Sequence, residues 1–129
     1  MTAPLVEIEN LRVEFRGEDG PIIGVENVSF SIAPGETVCV VGESGSGKSV
    51  TSLSLMRLVE FGGGRITGGE LEFAGRSGTI DLARADSDTM QAIRGDEIGM
   101  IFQEPMTSLN PVFTIERQMT DGLRRHRGL

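Results

Sequence analysis

Apolar and polar residues alternate along two segments near the start of the chain, Val6–Phe15 and Val28–Ile32. A period of two is typical of strands that bury one face. The turn-forming residues of Arg16–Pro21, rich in glycine and acid, separate the two segments. The pattern therefore predicts two strands joined through a turn.

Apolar runs without alternation follow. Thr37–Val41 is short and rich in β-branched residues, which predicts a strand buried on both faces, with Cys39 as a small buried side chain rather than a reactive thiol. Val50–Phe61 is long enough for a buried helix, and Gly62–Gly64 ends it. Ile66–Phe73 alternates again, with Leu71 and Phe73 on one face, and predicts another hairpin or an edge strand.

Three more elements are predicted toward the end of the chain. Asp86–Arg94 indicates a short helix, Ile98–Phe102 an apolar strand, and Thr114–Arg125 a second helix. The proline-bounded segment Gln103–Pro111 reads as the loop between the last two.

Composition narrows the class of protein. The 129 residues include 12 basic and 19 acidic side chains, a net charge of −7, which argues against nucleic acid as a partner. No apolar stretch approaches the roughly 20 residues of a membrane span, and no secretory signal is visible. The single cysteine excludes an internal disulfide. The only lysine is Lys48, so it does not belong to a diffuse basic surface.

That lysine lies in a motif that fits G-x-x-x-x-G-K-S/T at every specified position. The motif comprises Gly42, Glu43, Ser44, Gly45, Ser46, Gly47, Lys48 and Ser49. Its glycines let the backbone turn successive N–H groups toward an anion, and the helix that follows adds its N-terminal partial charge. Lys48 can reach nucleotide phosphates and the Ser49 hydroxyl can bind Mg²⁺. The motif predicts a nucleotide site.

A second signal narrows the family. The chain reads VSFSIAPGETVCVVGESGSGKS up to Ser49 and IGMIFQEPMTSLNPVFTIERQ from Ile98. With these motifs the sequence resembles the ATP-binding subunits of ABC transporters, and most of all the oligopeptide, dipeptide and nickel importer branch. The resemblance extends from about Leu5 to Leu129.

The resemblance implies roles for matching positions. Residues 42–49 would be the Walker A motif, which binds ATP together with Val50 and in which Lys48 acts on the phosphates. Gln103 would be the catalytic glutamine of the Q-loop, at about residues 103–111, and would share Mg²⁺ with Ser49. Phe15 would stack on adenine, although a lone strand phenylalanine is more often a core residue.

The same resemblance implies an α/β fold: part of a P-loop NTPase core, an antiparallel β-subdomain and the start of the helical subdomain. Residues 1–129 would be the N-terminal part of one ATP-binding domain. The signature motif, the Walker B carboxylates and the switch histidine do not occur in the sequence. We therefore expect this chain to bind nucleotide without hydrolysing it, and to self-associate through open sheet edges.

Partners follow from the family as well. The implied partners are transmembrane permease subunits, a second ATP-binding subunit in a homo- or heterodimer and, indirectly, a solute-binding protein, at the cytoplasmic face of the plasma membrane. Two alternatives stay open: a non-catalytic nucleotide-sensing module, or another P-loop NTPase. A GTPase with an Asn-Lys-x-Asp base reader is excluded, because Lys48 is the only lysine.

Overall fold

The computed structural model describes residues 3–43, 45, 47–102 and 109–128. The chain forms two compact units, Met1–Asp86 and Ser87–Leu129. The first unit contains the predicted nucleotide motif, and the second contains two helices. Each unit is described by itself.

The first unit is built on a four-stranded antiparallel sheet. Its spatial order is β2-β1-β3-β4, so β1 is central and pairs with both β2 and β3. The strands are β1 (Val6–Phe15), β2 (Ile22–Ile32), β3 (Gly64–Gly75) and β4 (Gly78–Asp81). The predictions of strands at Val6–Phe15, Val28–Ile32 and Ile66–Phe73 are therefore confirmed, but an edge position for the last of them is wrong, because β3 pairs with both β1 and β4.

A β-bulge explains an irregularity in the apolar pattern of β1. Buried positions run Val6, Ile8 and then Leu11, Val13, with a step of three between Ile8 and Leu11. The pairing register shifts at that step, and Asn10 adopts a left-handed conformation with φ of 51°. The extra residue keeps the apolar side chains of both halves of the strand on one buried face.

Helical elements connect β2 to β3. Helix α1 (Lys48–Leu55) is followed by a 3₁₀ turn at Leu58–Gly62. The predicted continuous helix over Val50–Phe61 is therefore wrong in its second half, where Arg57 takes a left-handed φ of 53° and breaks the helix. The core of this unit consists of apolar side chains from the sheet and these helices: Val6, Ile8, Leu11, Val13, Val25, Met56, Val59, Leu71, Phe73 and Leu82.

The second unit contains α2 (Ser87–Ile93) and α3 (Ile115–Arg127), close to the predicted helices. The Thr114 side chain caps α3 by accepting a hydrogen bond from the Arg117 N–H at 3.2 Å. Arg127 pairs with Asp96 at 3.2 Å. Within the described ranges, no helix combines the length and the apolar character that a bilayer span requires.

Two predicted strands do not form. The segments Thr37–Val41 and Ile98–Phe102 are both irregular, apart from a single bridge between Arg94 and Ile98. Cys39 is exposed rather than buried, and Val41 is 89% exposed. A strand that is apolar on both faces needs hydrogen-bonded neighbours and a packed layer on each face. The strand ladders of the described residues are β1–β2, β1–β3 and β3–β4. Neither segment therefore has strands paired along both of its sides.

Candidate functional site

The described part of the predicted phosphate loop leads directly into a helix. Gly45 and Gly47 both adopt left-handed conformations, with φ of 85° and 97°. Gly47 is the N-cap of α1, and no side-chain cap bonds to this helix end among the residues that the structure describes. Within that part of the chain the amide groups of the first turn therefore have no side-chain acceptor, and the helix dipole places partial positive charge at the same point. This arrangement favours an anion.

Lys48 folds back along the loop. Its Nζ donates a hydrogen bond to the Glu43 carbonyl oxygen at 3.0 Å. The ammonium group is therefore held against the Glu43 backbone at the protein surface, with further N–H donors to offer. Ser49 is the next residue and its side chain is exposed.

The other hydroxyls of α1 are used within the helix. Thr51 donates to the Gly47 carbonyl at 2.8 Å, and Ser54 donates to the Val50 carbonyl at 2.7 Å. Both residues are buried. These two hydroxyls stabilise the helix backbone and are not directed at the loop.

The Gly47 end of the loop packs against β2. A β-carbon built at Gly47 would lie 3.0 Å from Val25 Cγ2 and 3.1 Å from the Gly24 carbonyl oxygen. Both distances are shorter than ordinary contacts between such atoms, about 3.5–4.0 Å for two carbons. Gly47 is therefore required here for close approach to β2 as well as for its positive φ.

Phe15 reaches the same part of β2. A β-carbon built at Gly24 would lie 2.6 Å from Phe15 Cε2 and 3.6 Å from Val50 Cγ1. The structure thus brings the predicted adenine-stacking residue and the start of α1 to one residue of β2. The role of Gly24 was missed in the sequence, because the predicted strand began at Val28 whereas β2 begins at Ile22 and includes Gly24.

Phe15 also lines a cleft of about 760 Å³. Arg16, Glu60 and Arg65 contribute charged side chains to its walls. The described residues of the 42–49 loop do not line this cleft, so the cleft lies on the Phe15 side of the site and not at the phosphate loop itself. Of the described loop residues, Gly42, Glu43, Gly45 and Ser49 are exposed.

Some predicted site residues lie outside the described part of the chain. These are Ser44, Ser46 and Gln103, so the predictions for the Q-loop glutamine and for two loop serines remain predictions. In the described ranges, no group of three or more histidine, cysteine or acidic residues could hold a metal ion.

Electrostatic strain occurs elsewhere in the sheet. Glu7 faces Glu72 across the β1–β3 ladder, and Glu9 faces Glu70. Partial desolvation raises the pKa of Glu7 above its usual value, and the negative charges of Glu9, Glu72 and Glu70 raise it further. These carboxylates lie along the sheet and not in the phosphate loop.

Comparison with known proteins defines the class. Residues 25–127 match the family described as ABC transporter, and the chain belongs to that family. The resemblance inferred from the sequence motifs is confirmed.

Two similar relatives are bacterial and longer than this chain. One from Brucella abortus (strain 2308), named as a peptide import ATP-binding protein, is 55% identical over 126 residues, which are 97% of this chain and 37% of the relative. Another of the same description, from Brucella melitensis biotype 1, is 51% identical over 128 residues, 99% of this chain and 37% of the relative. The chain thus spans 37% of the length of these curated relatives.

Solved structures support the fold. The dimeric structure of MJ0796, a bacterial ABC transporter cassette, matches with a TM-score of 0.74 at 28% identity, covering 92% of this chain and 46% of that one. A dimeric post-hydrolysis state of the same cassette, bound to ADP and Pi, shares the fold with a TM-score of 0.63 at 24% identity, covering 92% of this chain and 54% of that one. The predicted α/β fold class is confirmed.

Proposed function

We propose that this chain carries the ATP-binding loop of the ATP-binding subunit of a peptide importer. The observation that carries the proposal is the junction of loop and helix: Gly47 is left-handed, α1 has no side-chain cap, and Lys48 folds back to Glu43 at 3.0 Å. Membership of the ABC transporter family and the names of the Brucella relatives support the choice of ligand and process.

The phosphates of ATP bind at the N-terminus of α1. Backbone N–H groups of the loop and of the first helical turn donate to phosphate oxygens, and the helix dipole adds to the attraction. Lys48 uses one of its three N–H donors on the Glu43 carbonyl, which leaves two donors for phosphate oxygens. A chain with a net charge of −7 can thus bind a polyanion through local geometry.

Two further groups complete the site. The Ser49 hydroxyl and the Gln103 amide oxygen are hard oxygen ligands of the kind that Mg²⁺ prefers. These two oxygens would hold Mg²⁺, which would supply positive charge beside the phosphates. Phe15 stacks on the adenine ring, for which its aromatic face suffices.

In the whole subunit, ATP binding and hydrolysis drive import of peptides or related solutes. A second ATP-binding subunit would face this one, in keeping with the dimeric MJ0796 cassette. Permease subunits would hold the pair at the cytoplasmic face of the membrane and receive solute from a binding protein. The 129 residues contain no Walker B carboxylates, so we expect this chain to release phosphate from ATP at a negligible rate.

The test is isothermal titration of the chain with Mg-ATP, compared with Lys48→Ala. A charged hydrogen bond contributes about 1.5–3 kcal/mol, so the variant should bind roughly 10- to 150-fold more weakly. Arg84→Ala is the matched control, because it also removes one positive charge and Arg84 pairs only with Asp81 in the described structure. Equal affinities for Lys48→Ala and Arg84→Ala would refute the assignment.

A further inference from the structure

Two glycines on neighbouring strands flank the ring of Phe15. Phe15 pairs with Gly64 across the β1–β3 ladder, and on the other side it pairs with Ile22, two positions before Gly24. A β-carbon at Gly24 would lie 2.6 Å from Cε2 and 3.0 Å from Cδ2 of the ring. A β-carbon at Gly64 would lie 2.7 Å from Cε1 and 3.1 Å from Cζ. The ring therefore spans β2, β1 and β3 between two positions without side chains.

No other residue type fits these positions while the ring stays where it is. Two carbons are in ordinary contact at about 3.5–4.0 Å, so an alanine at position 24 would displace the ring by roughly 1 Å. Neither glycine has a positive φ, so their backbone conformation does not require glycine. At Gly24 the close approach of the ring is the remaining reason for glycine, and at Gly64 the ring acts together with the Val59 carbonyl oxygen, which a β-carbon would meet at 2.9 Å.

The placement of the ring leaves it accessible to a ligand. Phe15 is half-buried and lines the cleft of about 760 Å³. Val50, in the first turn of α1, lies on the same side of Gly24 as the ring, since a β-carbon there would contact both. A ligand with phosphates at the start of α1 therefore has an aromatic surface within reach on the same face of the sheet.

We infer that Gly24 and Gly64 are positioning residues for adenine. Because neither has a side chain, the Phe15 ring can lie close to the sheet between them, with one side open to the base. The inference rests on the proposed function, in which Phe15 stacks on adenine. Stacking of a base on an aromatic side chain is worth roughly 5- to 150-fold in affinity, and that factor depends on the ring lying where the base can cover it.

Gly24→Ala is the sharper test of the pair. Its β-carbon would clash only with the ring and would make an ordinary 3.6 Å contact with Val50, whereas one at Gly64 would also meet the Val59 carbonyl at 2.9 Å. Gly62→Ala is the matched control, since a β-carbon there meets nothing within 4 Å and φ is ordinary. Each protein is titrated with Mg-ATP and, separately, with magnesium tripolyphosphate, which has no base.

We expect Gly24→Ala to bind ATP about fivefold more weakly, a part of the stacking factor, with its affinity for tripolyphosphate unchanged. Gly62→Ala should match the wild type for both ligands. In a Phe15→Ala background, adding Gly24→Ala should have no further effect on ATP affinity. This double variant also folds without a clash between the new β-carbon and the ring, because the ring is absent.

Three results would overturn the inference. They are an unchanged ATP affinity in Gly24→Ala, an equal loss of tripolyphosphate affinity, and the same loss of ATP affinity in the Phe15→Ala background. Failure of the proposed function gives a different result, because the wild-type chain would then bind neither ATP nor tripolyphosphate.

Discussion

Replacement of Gly47 by alanine should destabilise the chain through two separable effects. The first is conformational: an alanine at φ of 97° has its Cβ close to the following carbonyl, which costs roughly 1–2 kcal/mol. The second is steric, because the new β-carbon would lie 3.0 Å from Val25 Cγ2 and 3.1 Å from the Gly24 carbonyl oxygen. A strand carbonyl cannot move aside as a flexible side chain can, and overpacking of this kind costs about 1–3 kcal/mol.

The expected loss for Gly47→Ala is therefore about 2–4 kcal/mol in the free energy of unfolding, after a small offset from the stiffer unfolded chain. Gly35→Ala isolates the first effect. Gly35 also has a left-handed φ, of 75°, but a β-carbon there would meet nothing within 4 Å. That variant should lose only about 1 kcal/mol.

Urea unfolding followed by far-ultraviolet circular dichroism measures both variants against the wild type. The difference between them, about 1–3 kcal/mol, reports the contact between the loop and β2. Equal destabilisation of the two variants at equal m-values would show that the loop does not rest on β2. Mg-ATP affinity should fall in Gly47→Ala alone, because only that substitution displaces the first turn of α1.

Two further predictions concern other parts of the first unit. The chain contains no tryptophan or tyrosine, so Phe15→Trp introduces a single indole whose fluorescence should be quenched by Mg-ATP, whereas Phe30→Trp, roughly 20 Å away along the sheet, should show no change. Quenching of both indoles, or of neither, would contradict adenine stacking on position 15. Because the pKa of Glu7 is raised by folding, the folded chain binds a proton at Glu7 more readily than the unfolded chain does. The contribution of Glu7 to stability is therefore present below the unfolded pKa of about 4.3 and is lost as pH rises through the folded pKa. Glu7→Gln should therefore be more stable than wild type at pH 7 in thermal unfolding, with a difference that closes toward pH 4, and equal stability at pH 7 would contradict repulsion among these carboxylates.

The sequence correctly predicts those strands whose apolar side chains are covered and whose backbones are paired within the sheet. β1 could be identified to its last residue because its alternation survives the bulge at Asn10. Thr37–Val41 has a stronger apolar signal and yet forms no strand, since such a pattern reports a preference for burial and not the presence of a partner. The four residues of β4 were missed, because a strand that short carries too little alternation to detect.

Some features of the site follow from one contiguous stretch of sequence, and others depend on contacts between strands. The left-handed glycines and the start of α1 at Lys48 follow from a contiguous motif, since the chemistry of a phosphate loop is encoded in one stretch of backbone. The position of Phe15 relative to that loop depends instead on strand register, which is set by the pairing of residues far apart in the sequence and not by one contiguous motif. Gly24 carries this information, because its missing side chain admits the ring while its carbonyl oxygen lies against Gly47. The spacing between the phosphate loop and the aromatic ring is therefore set by the backbone of β2, outside the recognised motif.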